Sequence, residues 1–130
     1  MRGLLLAWGP SVLWAGGLVL LSAWSDPPRL PAAIPHLDKV VHLGLYAVLG
    51  ATLAWGRHRW AGPATWILLG AGVAFGATDE LHQAFVPRRE PSGADLVADT
   101  AGLVLGYAGT RALLSRLGPG SVPGRVDGPA

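Results

Sequence analysis

With 130 residues, 51% of them apolar and 14% charged, and a mean hydropathy of +0.40, the chain has too few charges to coat a soluble domain, which carries about 25%. The same apolar excess excludes a disordered chain, the 19 Gly and 11 Pro follow no Gly-X-Y period, and the absence of Cys removes disulfides, thiolate metal sites and thiol nucleophiles. The net charge is +2 and no basic run exceeds Arg88-Arg89 or Arg57-His58-Arg59, so nucleic acid is excluded as a partner and a small membrane protein remains.

Gly3 to Ser25 carries no charge and is long enough to cross a hydrocarbon core of about 30 Å. Asp26-Pro27-Pro28 ends it, because Pro-Pro cannot continue a helix. A cleaved signal peptide is the rival reading, with Arg2 as its basic start and Ala23-Trp24-Ser25 as its cleavage site. The apolar run exceeds a usual signal core, and Trp14 and Trp24 suit a retained span with interfacial aromatics. The second segment spans 37–55 and carries Asp38, Lys39 and His42 at its start. A polar turn, Arg57 to Pro63, leads to the third segment, 64–86, which is uncharged until Asp79-Glu80. Pro87-Arg88-Arg89-Glu90-Pro91 connects to the fourth segment, 92–117, with Asp95 and Asp99 in its first two turns. Residues 118–130 are rich in Gly and Pro and read as a disordered tail.

Segment length, and the lack of ten-residue alternating strands, predict an all-α bundle of four transmembrane helices with both termini on one side. Gly72-x-x-x-Gly76 and Gly102-x-x-x-Gly106 predict close helix approaches. With the termini in the cytoplasm, that side receives Arg2, Arg57, Arg59, Arg111, Arg116 and Arg125, and the other receives Arg29, Lys39, Arg88 and Arg89. This bias favours cytoplasmic termini.

Alternating spans place the start of the second helix, the end of the third and the start of the fourth at one end of the bundle, the extracytoplasmic end in this orientation. Asp38, Lys39, His42, Asp79, Glu80, His82, Gln83, Arg88, Arg89, Asp95 and Asp99 all fall there. Asp38, His42 and Tyr46 are spaced i, i+4, i+8, one stripe of a helix, and Asp79/Gln83 and Asp95/Asp99 are i, i+4 pairs. Ionisable groups cost about 2.5–3.5 kcal/mol each at a helix centre, so these face one another or a wet cavity. Bland readings stand beside the functional one. Ser92-Gly93-Ala94-Asp95 matches a capping box, Asp38 suits a helix N-terminus, and His42 suits a hydrogen-bonded interior. Arg88 and Arg89 suit interfacial topology charges. Asp79, Glu80 and Asp99 lie inside helices and need partners.

Asp38-Lys39-Val40-Val41-His42 followed by Tyr46 resembles the D-K-x-x-H opening of the VanZ-like membrane protein family. Asp79-Glu80-Leu81-His82-Gln83-Ala84-Phe85-Val86-Pro87 resembles its D-E-x-x-Q-x-F-x-P signature, and Arg89, Ser92, Asp95, Asp99 and Gly102 follow at the family's spacing. Arg88 stands where the family often has Gly, and Asp99 where Asn is common. The family is represented by proteins associated with resistance to the glycopeptide teicoplanin; for this chain the resemblance implies membrane residence and a shared polar site.

Three readings of the site follow. In the first it binds or modifies an envelope lipid or lipid-linked precursor. Arg89 and Lys39 then hold phosphate or carboxylate, and Asp79, Glu80 and His42 are the acid/base candidates. Asp38, Tyr46, Gln83, Ser92, Asp95 and Asp99 complete the expected binding set. In the second, Asp38, His42, Asp79, Glu80, Asp95 and Asp99 offer an oxygen-rich set for a divalent metal, as in a metal-dependent membrane hydrolase. In the third the charges form an ion-pair network in a non-enzymatic scaffold or interaction protein.

Overall fold

The computed structural model describes residues 1–26, 35–60 and 62–117. The readings made for Pro27, Pro28, Arg29 and the tail 118–130, including Arg125, lie outside them. The described residues form four helices and no strand: α1 (Arg2–Ser22), α2 (Leu37–Arg59), α3 (Thr65–Gln83) and α4 (Gly93–Leu117).

The α2–α4 pair is the centre of the molecule. A Cβ added to Gly102 would overlap the Leu43 carbonyl oxygen, one on Gly106 the Ala47 carbonyl oxygen, and one on Gly50 the Leu103 carbonyl oxygen. The two backbones therefore touch where only glycine fits, as the Gly102/Gly106 spacing predicts. The contacts advance together along both chains (43 with 102, 47 with 106), so α2 and α4 run parallel. Leu103 is fully buried, and Gly72 of α3 makes room for its side chain. Gly76 instead lies against the Tyr46 ring.

The flanking helices run the other way. On α1, Trp14 donates its indole N–H to the Leu45 carbonyl of α2 at 2.8 Å, while Ala7 and Trp8 pack under Gly56. Trp14 thus ties α1 to α2. On α3, the Thr65 and Tyr107 hydroxyls meet at 3.0 Å at one end and Glu80 meets Ser92 at the other. The start of α1 and the end of α4 thus share one end of the bundle. Contacts between α1 and α3 are sparse.

Three helix ends differ from their sequence-based positions. α1 stops at Ser22, and Arg89 donates to the carbonyl of Leu21 in its last turn (3.0 Å) and to that of Trp24 just past it (3.2 Å). α2 takes in Arg57, His58 and Arg59, assigned above to a polar turn. The Arg59 guanidinium sits 5.1 Å from the Trp55 ring centre, and Arg57 donates to the carbonyls of Gly62 and Pro63, so the basic side chains serve the helix C-terminus. α3 stops at Gln83, and turn hydrogen bonds carry the chain through Val86 to Pro87, whose ring disfavours helical geometry in the residue before it.

Two helices, α1 and α2, are long and apolar enough to cross a membrane. α3 and α4, with Asp79-Glu80 and Asp95/Asp99 near their ends, do not meet that measure. Large apolar side chains nonetheless stand exposed on all four, including Leu13 and Leu20 on α1, Val40 on α2, Trp66 and Leu81 on α3, and Leu105 and Leu113 on α4.

Candidate functional site

The parallel register of α2 and α4 sets the site's first layer. Lys39 Nζ lies 2.5 Å from Asp95 Oδ1 and 2.8 Å from Asp38 Oδ2. One turn deeper, His42 Nδ1 lies 3.0 Å from Asp99 Oδ1, and His42 Nε2 lies 4.0 Å from Asp95 Oδ2. Exposure falls along the α2 stripe, from Asp38 at the surface through half-buried His42 to Tyr46, only 2% exposed. Asp99 is 1% exposed.

α3 contributes the second layer. Glu80 is buried, and its Oε2 accepts the backbone N–H of Ser92 at 2.7 Å. The Ser92 hydroxyl in turn accepts the N–H of Asp95 at 3.3 Å. The expected capping box is therefore half-formed within α4: the reciprocal bond to Ser92 comes from Glu80 of another helix. This frees the Asp95 carboxylate to face Lys39. Asp79 is half-buried and accepts a long bond (3.4 Å) from Gln83, so among the described residues its carboxylate is the least committed of the buried acids.

The outer boundary comes from α1 and the α3–α4 connection. A cavity of about 860 Å³ is walled by Leu18, Leu21 and Ser22 of α1, by Asp38, Val41, His42, Leu45 and Tyr46 of α2, by Asp79 and Gln83 of α3, and by Ser25, Asp26, Arg88 and Arg89. Arg88 pairs with Asp26 at 3.3 Å and holds a left-handed φ of 65°. That conformation is easy for glycine and costly for other residues. Arg89 borders the cavity while holding the end of α1.

The structure thus gathers Asp38, Lys39, His42, Tyr46, Asp79, Glu80, Gln83, Arg89, Ser92, Asp95 and Asp99 at one end of the bundle. His82 is exposed and stands apart from the cluster. Sequence reasoning missed the part of α1. Ala7, Ser11, Leu18 and Ser22 are its buried residues, and their spacing of four, seven and four is the signal that marks a packed face.

The order Asp-Lys-x-x-His, Asp-Glu-x-x-Gln, Arg-x-x-Ser-x-x-Asp-x-x-x-Asp is thereby a single spatial cluster, and residues 10–114 match the VanZ/LLP1 family. The chain belongs to that family. The VanZ/LLP1 match begins within α1, so most of that helix lies inside the family's domain along with the site it walls. No curated protein and no solved structure gives a significant match.

Proposed function

We propose that this VanZ/LLP1 protein is a four-span protein of the bacterial cell membrane that binds an envelope lipid or lipid-linked precursor in the cleft between α1 and α3. The observation that carries the reading is the shape and chemistry of that cleft. Next to the polar cavity, along the same three helices, lies an apolar cavity of about 480 Å³ lined by Trp8, Ser11, Val12, Ala15, Leu49, Leu53, Pro63, Leu68, Ala71, Gly72 and Phe75. Successive turns link the two: Ala15 to Leu18 on α1, Leu45 to Leu49 on α2, and Phe75 to Asp79 on α3. A polar chamber at one end and an apolar trough toward the other match a headgroup and its hydrocarbon chain.

Exposed apolar side chains on all four helices support membrane residence, since a surface of this kind is stable in hydrocarbon and aggregates in water. Four alternating spans put the termini on one side, cytoplasmic by the Arg/Lys bias, and the polar cavity on the extracytoplasmic side. α1 is retained in this arrangement, because it supplies a wall of both cavities.

In the cavity, Arg89 supplies positive charge for phosphate or carboxylate, and Asp79 and His42 stand in its wall; Lys39, expected as a second anchor, is outside that wall and is committed to Asp38 and Asp95. Asp79 is the acid/base candidate, because its carboxylate is free of any tie to another helix. Glu80 serves the start of α4. The association with teicoplanin resistance extends to this chain only through the same lipid-binding reading.

Native mass spectrometry of the detergent-purified protein tests the proposal. Wild-type protein carries bound lipid. Ala15→Trp, which fills the trough, removes it while helix content persists, and Asp79→Asn changes which headgroups are retained. Full lipid occupancy in Ala15→Trp overturns the reading.

A further inference from the structure

The orphaned oxygens beneath the cavity point to a second ligand. His42, Glu80 and Asp99 each present one donor atom, and the three lie within 4.8 Å of one another, the span of atoms that share one ion at bond lengths of about 2.0–2.4 Å. Glu80 Oε1 and Asp99 Oδ2 are buried without a hydrogen-bond partner, on side chains 6% and 1% exposed. The Tyr46 hydroxyl, one turn beyond His42 on the same stripe of α2, is also buried without a partner. Buried polar atoms are rarely left unsatisfied, and two carboxylate oxygens left so on neighbouring buried acids call for a cation.

We propose that His42, Glu80 and Asp99 bind a divalent transition-metal ion of the Zn²⁺ or Mn²⁺ class. His42 Nδ1 and Asp99 Oδ1 share a hydrogen bond at 3.0 Å, so an ion taken up between them displaces that proton. His42 Nε2 then faces Asp95, 4.0 Å away, and Lys39 holds that carboxylate in place. At that distance the carboxylate acts on the imidazole through its charge and not through a hydrogen bond. One imidazole with two carboxylates favours a transition metal, whereas Mg²⁺ keeps several waters and prefers an all-oxygen shell. The assignment does not rest on lipid binding.

The test is metal titration of detergent-purified protein after chelator treatment, read by calorimetry and by thermal unfolding, with Mn²⁺, Zn²⁺ and Mg²⁺ in turn. One ion per chain binds saturably and raises Tm. Glu80→Gln, which keeps an acceptor for the Ser92 N–H, and Asp99→Asn each weaken binding at least tenfold, while Glu90→Gln at the exposed surface leaves it within twofold. Absence of saturable binding by the wild type, unchanged affinity in both carboxamide variants, or tighter binding of Mg²⁺ than of Mn²⁺ each overturns the assignment. The titration reads the metal without lipid, so failure here leaves the lipid experiment free to succeed or fail by itself.

Discussion

Glu80 of α3 accepts the backbone N–H of Ser92, twelve residues later and just ahead of α4, at 2.7 Å. An unpaired buried donor costs about 1–3 kcal/mol. Glu80→Ala is therefore expected to lower stability by that amount and to speed amide exchange at Ser92 to Leu96, whereas Glu80→Gln retains most of the protection. Hydrogen exchange resolved along the start of α4 checks both.

The glycines of α4 divide into two kinds. A Cβ at Gly106 overlaps the Ala47 carbonyl, while one at Gly109 meets nothing within 4 Å. Gly106→Ala is expected to separate α2 from α4 and to cost more than about 2 kcal/mol, as overpacking of a tight contact does. Gly109→Ala, in the same helix, is expected to gain roughly 0.5–1 kcal/mol from helix propensity. Thermal unfolding of the two variants side by side gives the contrast, and equal Tm values would contradict it.

Removal of His42 leaves Asp99 buried beside Glu80 without its partner at 3.0 Å. His42→Ala is expected to cost roughly 2–3 kcal/mol, as for a hydrogen bond to a charged group. The double variant His42→Ala, Asp99→Ala is expected to cost less than the sum of the single changes. A double-mutant cycle in detergent measures the difference, and strict additivity would show that the pair is uncoupled.

Arg88 sits at φ 65°, where a side chain costs about 1–2 kcal/mol relative to glycine. Its ion pair with Asp26 is exposed on both sides and adds little. Arg88→Gly is therefore expected to be more stable than Arg88→Ala by about 1 kcal/mol, read as Tm. The reverse order would place the value of Arg88 in its charge.

Much of the site was legible from spacing, because helical periodicity carries side-chain direction. The i, i+4, i+8 stripe of Asp38, His42 and Tyr46 descends into the structure as the spacing implies, and Asp95 and Asp99 face it from α4. What could not be read was which acid answers which base. The Ser92–Asp95 spacing fits a capping box, and nothing local reveals that Glu80 takes half of that role from another helix. The helix ends were hidden for a similar reason. Arg89 donates to carbonyls at the end of α1 from more than sixty residues away, and Arg59 lies over Trp55 where α2 runs on through residues that look like a turn.

The parallel seating of α2 on α4 has a consequence for how chains of this kind can vary in length. Lys39 meets Asp95, His42 meets Asp99, Leu43 meets Gly102 and Ala47 meets Gly106. One residue inserted between Asp95 and Gly106 turns everything on one side of it by about 100°, so either the ion pairs or the glycine contacts are lost. Length variation is thereby confined to the connections and the outer ends of helices, and a homologue with an insertion inside 39–47 or 95–106 would have to build its polar cluster on a different pairing.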